Sequence, residues 1–561
     1  MTEISNELIK NIIKDLSKKD LTDNTIQKIF RKYPKLNSGL FKKSEILEHF
    51  NKSKNTKNEI FMKNIKMKNT RTVSGVTPVT VLTKPFPCPG KCIFCPNDVR
   101  MPKSYLSDEP GAQRANRNNF DPYAQTFNRL LAYKNIGHPT DKVELIILGG
   151  TWTSYPETYQ IWFVNRCFNA MNDFNEKSNS TYESKMEMPY EEKSLDISKK
   201  ESYNSKISKA LVNNNEKSSW EELFKSQEKN VNSQTRCVGL VIETRPDEIT
   251  EKEVIRIRKL GATKTQIGFQ SLNDKVLELN NRGHNVETTR NAVKLLRQAG
   301  FKIHAHWMPN LYGSNPENDI NDFKKMFKDA DFMPDELKVY PCSLIKSAEL
   351  MDYYKKGLWK PYSEDELKYV LKEIYKITPE YCRITRMIRD IGSQDIVVGN
   401  KKTNFRQIVE KELGDENAIL NEVRSREIRG QKVSLEKLNL DVVKYQTSIS
   451  TEYFLQYITK ERKIAGLLRL SIPKIEPYIA ELKAATIIRE VHIYGQSIEI
   501  GSHTKGKAQH LGLGKGLIKK AEEISKKDGF NKIAVISAIG TREYYSKLGY
   551  HQIDLYQVKE I

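Results

Sequence analysis

Short apolar runs alternate with amphipathic stretches through the middle of this chain. Runs rich in branched residues fall at 78–82, 143–148, 237–242, 264–269, 302–307 and 336–341. Each has the length of a strand. Between them, apolar residues recur at helical spacing over 122–135, 251–260, 286–299 and 318–328, which predicts helices. Six successive β-α units predict an α/β fold, a parallel and partly closed (β/α)6 barrel over residues 71–345. In such a barrel, chemistry gathers where strands end and loops begin.

The flanks read differently. Residues 1–70 place Leu8, Ile12, Ile13 and Leu16, then Ile26, Phe30 and Tyr33, at helical spacing among Lys and Asn, which predicts small basic helices. Within the barrel, residues 175–236 are rich in Asn, Ser, Glu and Lys and poor in branched apolar residues. Such a segment buries too little surface to offset chain ordering, so it predicts a largely disordered insertion. Its patches at 186–190 and 220–224 read as incidental sequence or as docking segments. Residues 346–446 form a mixed, mainly helical connector, and strands and helices resume over 447–561 as a second α/β module.

Composition adds a partner class. The 561 residues carry 92 Lys and Arg against 71 Asp and Glu, a net charge of +21, which favours a polyanion such as nucleic acid. An AT-rich genome also raises lysine content. No run of about twenty apolar residues appears, and the N-terminus lacks a signal-peptide core, so the reading is a cytoplasmic protein with no membrane partner. Seven cysteines, four of them scattered (Cys167, Cys237, Cys342 and Cys382), make no disulfide framework. Those four read as core residues.

The other three carry the chemistry. Cys88, Cys92 and Cys95 follow the first predicted strand in the spacing C-x3-C-x2-C. Thiolates are the usual ligands of iron-sulfur clusters. Three on one loop hold three irons of a [4Fe-4S] cube and leave the fourth open to S-adenosylmethionine, which one electron cleaves to a 5'-deoxyadenosyl radical. A structural zinc site wants four closed ligands, and no fourth Cys or His lies near in the sequence. The next strand ends lead into Gly149-Gly150-Thr151, where residues without a Cβ let backbone approach a ligand, or merely make a tight turn. Glu243-Thr244-Arg245-Pro246-Asp247 supplies a carboxylate for ribose hydroxyls and a guanidinium for a carboxylate. Gly268-Phe269-Gln270-Ser271 ends the fourth strand. These ends read as one cofactor site around the cysteine loop.

The C-terminal module places Val491-His492-Ile493-Tyr494 before Gln509-His510-Leu511-Gly512-Leu513-Gly514-Lys515-Gly516, which opens a helix. Free N–H groups at a helix start suit pyrophosphate, and the missing Gly-Lys-Ser/Thr ending argues against a nucleotide P-loop. This Q-x-x-G-x-G resembles the coenzyme A loop of the GNAT acetyltransferases. Residues 541–550, including Tyr544 and Tyr545, resemble the helix that faces the thioester there. A glycine-rich turn beside core tyrosines is the plainer alternative.

Taken with Asn281-Arg282-Gly283-His284, these motifs in this order resemble the catalytic subunit of Elongator, from about Arg71 to the C-terminus. The resemblance implies a barrel that generates the adenosyl radical and a GNAT-type domain that presents acetyl-CoA. The radical would take hydrogen from the acetyl methyl group, the carbon radical would add to carbon 5 of the wobble uridine, and thioester hydrolysis would leave a carboxymethyl group. By position, Cys88, Cys92 and Cys95 would bind the cluster. Lys142, Glu490, Val491, His492, Ile493, Leu513, Gly514, Lys515, Gly516 and Tyr545 match acetyl-CoA contacts, although Lys142 alone reads as a solvated lysine. Tyr544 and Tyr545 are the catalytic candidates. The implied partners are the anticodon stem-loop of tRNA and either accessory Elongator-type subunits or a second copy of the chain. The basic N-terminal helices, with Phe41, Phe50 and Phe61 among their Lys and Arg, are the candidate tRNA grip through phosphate contacts. Two departures stand out. The connector carries Ser425 and no cysteine at 420–431, where many relatives bind zinc, so no such zinc is expected, and Asn310 replaces the usual Asp. A protein lysine acetyltransferase with a structural cluster and a non-enzymatic tRNA scaffold are the alternative readings.

Overall fold

The computed structural model describes residues 3–19, 21–35, 39–52, 58–66, 72, 74–177, 180–188, 203–207, 216–429, 433–494 and 512–561. The six predicted strands form as β1 (Thr77–Leu82), β2 (Lys142–Leu148), β3 (Arg236–Thr244), β4 (Lys264–Gln270), β5 (Lys302–Trp307) and β6 (Glu336–Val339). They pair in parallel and in sequence order. Outward-facing Val143, Leu145 and Ile147 on β2, with Leu337 and Val339 on β6, pack under the surrounding helices. The four predicted helices form as Pro122–Asn135, Glu251–Lys259, Val286–Gln298 and Pro316–Lys328. Asp121, Thr250, Asn285 and Asn315 cap them through side-chain oxygens, satisfying N–H groups that a helix start leaves free.

The barrel outruns its predicted end at 345. After β7 (Leu344–Ile345), the helix Glu364–Ile377 leads to β8 (Arg383–Arg386), which pairs in parallel with β6 as a seventh strand. Its sequence Arg-Ile-Thr-Arg buries only Ile384 against the core. No apolar run announces it, because its alternate residues face a polar lumen. β9 (Ile396–Val398) pairs with β7 as a small separate ribbon.

The lumen itself is unusual. Where a closed barrel stacks branched apolar side chains, this one carries Glu144, Lys264, Gln266, His304, His306, Glu336 and Lys338. Lys264 Nζ pairs with Glu144 at 2.7 Å and with Glu336 at 3.1 Å. Burying such groups is costly unless they are hydrogen-bonded or paired.

The second sheet contains β10 (Asn439–Gln446), β11 (Ser450–Ile458), β12 (Ile464–Pro473), β13 (Thr486–Ile493), β14 (Lys532–Val535), β15 (His551–Ile553) and β16 (Tyr556–Glu560), in the order β10-β11-β12-β13-β14-β16-β15. This module therefore begins at Asn439, inside the stretch read as connector up to 446. The edge strand β10 is mostly exposed, which hid it among polar sequence. The module docks on the N-terminal ends of the barrel strands. There the buried Arg489 forks onto Asp335 at 2.6 and 2.7 Å and reaches Glu452 at 2.8 Å. Nearby, Lys302 pairs with Glu490 at 2.6 Å.

Two further readings change. The helix Trp220–Val231 lies within the stretch read as disordered. Ser219 and Glu222 close it with a reciprocal capping box, and its Leu223 and Val231 are buried. Glu216 is buried against Lys84 in a close ion pair, while 189–202 and 208–215 fall outside the described residues. At the N-terminus, the helices Glu3–Leu16, Asp23–Lys32, Lys43–Lys52 and Glu59–Ile65 enclose a core of their own. Phe41, Phe50 and Phe61 are buried in that core. They are packing residues and offer no face to a nucleic acid.

Candidate active site and comparison with known proteins

The cysteine loop leaves β1 and is held by backbone on both sides of its apolar residue. The Ile93 N–H donates to the Asn280 carbonyl at 3.2 Å, the Ile93 carbonyl accepts from Leu350 at 2.8 Å, and the Ile93 side chain is fully buried. Two guanidiniums face Cys92. Arg282 Nη1 lies 3.3 Å and Arg245 Nη1 3.8 Å from its Sγ. Arg245 is fixed by Asp247 at 2.7 Å and by the Arg282 carbonyl at 2.6 Å. A Cβ on Gly90 would stand 2.1 Å from Arg245 Nη1, so only glycine admits that guanidinium. A hydrogen bond from Cys95, then the two arginine charges, holds the Cys92 thiol well below the usual cysteine range. The same hydrogen bond, with burial, pushes Cys95 up.

Anionic sulfur is what a metal requires, so the loop's donor set fits an iron-sulfur cluster. Among the described residues no three metal-ligating side chains meet at one point. The structure places Arg245, read as a cofactor ligand, against the cysteine itself. Arg282 had no assigned role in the sequence, because nothing local marks an arginine that meets a cysteine 190 residues away.

The other barrel-mouth residues gather on the same side. Thr151 Oγ1 lies 3.7 Å from Cys88 Sγ. A Cβ on Gly149 would meet Thr83 Oγ1 at 2.0 Å, and one on Gly150 would meet the Lys103 carbonyl oxygen at 3.0 Å. The protein's own atoms thus fill the space that a ligand was expected to need. Glu243 accepts from Tyr105 Oη at 2.6 Å and lies 3.4 Å from His306. Gln270 ends β4 at φ +66° with its side-chain carbonyl oxygen buried and unpartnered. A non-glycine residue held in the left-handed region at a strand end is strain of the sort found at functional sites. Asn310 also adopts positive φ, and its amide donates to the Cys342 carbonyl at 3.2 Å. Asn and Asp alike tolerate that backbone, but only the amide can donate to the Cys342 carbonyl, a local reason for Asn where Asp was expected.

The residues read for acetyl-CoA form a second group. β13 pairs with β14 only over Thr486–Ile488, so Glu490, Val491, His492 and Ile493 lie beyond that pairing and, among the described residues, their strand edge has no partner on the β14 side. Gly512, at φ +72°, caps the helix Leu513–Lys527. Leu513, Gly514 and Lys515 thereby present N–H groups with no intrahelical acceptor. Ile493 and Tyr544 Oη both stand over Gly514, and Tyr457 Oη, which the sequence did not mark, stands over Gly516. Tyr545 turns instead into the core beside Tyr550, with ring centroids 5.7 Å apart, and burial raises its hydroxyl pKa. Gln509 lies outside the described residues. Glu490 directs its side chain to Lys302 and to Arg469, at 2.8 Å.

The two groups do not share one mouth. Lys142 opens β2, and Glu490 meets the start of β5, whereas the cysteine loop, Glu243 and Gln270 lie at strand ends. A six-residue strand separates the levels by roughly 17 Å. The polar lumen runs between them.

Comparisons with known proteins agree with this architecture. The Radical SAM superfamily matches residues 212–329, and the Radical_SAM C-terminal domain matches 334–415, a span that includes β8. A tRNA uridine(34) acetyltransferase of Methanocaldococcus infernus is 37% identical over 92% of this chain and 91% of its own length. The human Elongator complex protein 3 is 32% identical over 89% of this chain and 87% of its own. Among solved structures, the archaeal Methanocaldococcus infernus Elp3 with an N-terminal deletion aligns at a TM-score of 0.69 and 34% identity. That match covers 87% of this chain and all of the archaeal one.

Proposed function

Since this chain belongs to the family of tRNA uridine(34) acetyltransferases and Elongator complex protein 3, we propose that it modifies the wobble uridine of tRNA by building a 5-carboxymethyl group from acetyl-CoA. The family brings radical S-adenosylmethionine chemistry, and with it a [4Fe-4S] cluster and S-adenosylmethionine. Cys88, Cys92 and Cys95 would hold the cluster. When bound, these cofactors supply a 5'-deoxyadenosyl radical able to take hydrogen from the acetyl methyl group.

The chain's own residues then divide the work. Cys95, then Arg282 and Arg245, favour the anionic form of Cys92, and Glu243, Thr151 and Gln270 line the mouth where S-adenosylmethionine would sit. The open edge of β13 and the amides at 513–515 cradle acetyl-CoA, with Tyr544 over the helix start as the acid nearest the thioester and Tyr545 positioning it from the core. The observation that carries this reading is the joining, in one chain, of an arginine-clamped cysteine loop to a second domain with a splayed strand and a glycine-led helix. In this reading the polar lumen is how the two ends communicate. The anticodon stem-loop is the substrate, the basic N-terminal helices contribute phosphate contacts through lysines, and accessory subunits or a second copy complete the assembly in the cytoplasm.

The test is anaerobic. Reduced, cluster-loaded protein with S-adenosylmethionine, acetyl-CoA and tRNA should yield 5-carboxymethyluridine by mass spectrometry of nucleosides. If no such nucleoside forms, the reading fails. Persistence of acetyl transfer to protein lysine in Cys92→Ala would favour the acetyltransferase with a structural cluster.

A further inference from the structure

The lumen holds a cation without a counter-ion. Lys338, on the inward face of β6, is buried, and its ammonium makes a close hydrogen bond to Gln266 Oε1. An ammonium has three N–H donors, and that contact uses one. Lys338 forms no ion pair among the described residues, unlike Lys264 and Lys302 two levels below, which pair with Glu336 and Glu490. The surrounding charge is mixed. Arg386 and Arg389 stand on the β8 side, and Glu243 faces it from β3, already engaged with Tyr105 and His306. Burial, ahead of these charges, lowers Lys338 to about 8. An uncompensated buried cation costs stability, and one kept at the mouth of a reaction chamber is kept for an acceptor that arrives from outside.

Gln266 cannot shift to fill the gap. Its Oε1 also faces His306 Nε2, at 3.1 Å, and its side chain is 2% exposed. The lysine is thus pinned from below, with its unused donors toward the level of Glu243 and Tyr340, whose ring centroid lies 6.0 Å from Nζ.

We infer that Lys338, braced by Gln266, reads the 4-carbonyl of the target pyrimidine and thereby makes the site accept uracil and refuse cytosine. This rests on the uridine-modifying reading above. In uracil, carbon 4 bears an acceptor oxygen and lies next to carbon 5, so gripping that oxygen fixes the atom to be alkylated. In cytosine the same position bears an amine, which offers N–H donors to an ammonium that has only donors. A site built around a hydrogen bond rejects the analogue that cannot make it by far more than shape alone does. Lys338 acts here as a specificity determinant that touches the base.

The experiment gives full-length, cluster-loaded protein tRNAs with uridine or cytidine at the target position and counts 5-carboxymethyl pyrimidine nucleosides by mass spectrometry. The wild type should prefer uridine by at least about 100-fold. Lys338→Met should lower kcat/KM on uridine by about 100-fold and shrink the preference below tenfold, with Lys338→Arg recovering part of it. Gln266→Glu, which pairs the lysine without changing volume, should also shrink the preference, and it decides the matter if the Met variant does not fold. Cluster absorbance and circular dichroism report folding. An unchanged uridine preference in Lys338→Met and Gln266→Glu overturns the inference, as does a rise confined to the KM for S-adenosylmethionine, which would assign the lysine to the cofactor's carboxylate. A wild type that forms no product from uridine overturns the underlying reading instead.

Discussion

Cys92 is held below the usual cysteine range first by Cys95 and then by two arginine charges remote in sequence, and those arginines can be removed while the cysteine stays. Arg282→Ala deletes a charge-assisted contact of 3.3 Å and the donor to the Gly268 carbonyl at 2.8 Å. With contacts to charged groups worth about 1.5–3 kcal/mol, the variant should reconstitute with several-fold less iron and sulfide per chain, measured after anaerobic loading. Gly90→Ala should do the same from the other side, because its new methyl group would overlap Arg245. Normal iron content in both variants would remove the arginines from any role in cluster binding. The three cysteines were legible from spacing alone. Arg245 was legible only as a ligand for a carboxylate and Arg282 only as part of a family motif, since their contact with the cysteine lies in a fold that brings residues 92, 245 and 282 to one point.

At the scale of elements, composition misled where local pattern would have served. Averaged over 175–236, the sequence is polar enough to read as disordered, yet Ser219-Trp-Glu-Glu222 is a capping box followed by a buried Leu223 and Val231. Losing an N-cap side chain costs about 1 kcal/mol, so Ser219→Ala should lower the melting temperature measurably, with amide exchange rising first in 220–231. The strand β8 failed for the opposite reason. Its Thr385 hydroxyl meets His304 at 2.9 Å inside the lumen, and inward polarity erased the alternation that sequence reading depends on. Strands with apolar outer faces, β1 to β6, were found to within a few residues.

Across the whole molecule, stability concentrates where the two sheets meet. Asp335 and Arg489 are both fully buried, and deleting one member of such a pair strands the other. Asp335→Asn should therefore cost about 3–5 kcal/mol, read by chemical denaturation. Acid should act on the same seam. Glu490 is held near 2, below its ordinary 4.5, burial opposing and the Lys302 and Arg469 charges prevailing. A depressed carboxylate stabilises fully above its unfolded pKa, so this contribution is intact above about pH 4.5 and fades as pH falls toward 2. Melting curves across that window should show the seam weakening, and Glu490→Gln should flatten the dependence.

That seam also governs what can be cut from the protein. Severing the chain between Leu438 and Asn439 would leave Asp335 and Lys302 on one fragment and Arg489 and Glu490 on the other, each parted from a partner and opened to solvent together with the apolar residues around it. Neither piece should survive as a soluble product by itself, while co-expression of the two should restore a non-covalent heterodimer. The halves of this molecule look like separable tools, yet their charges make them a single casting.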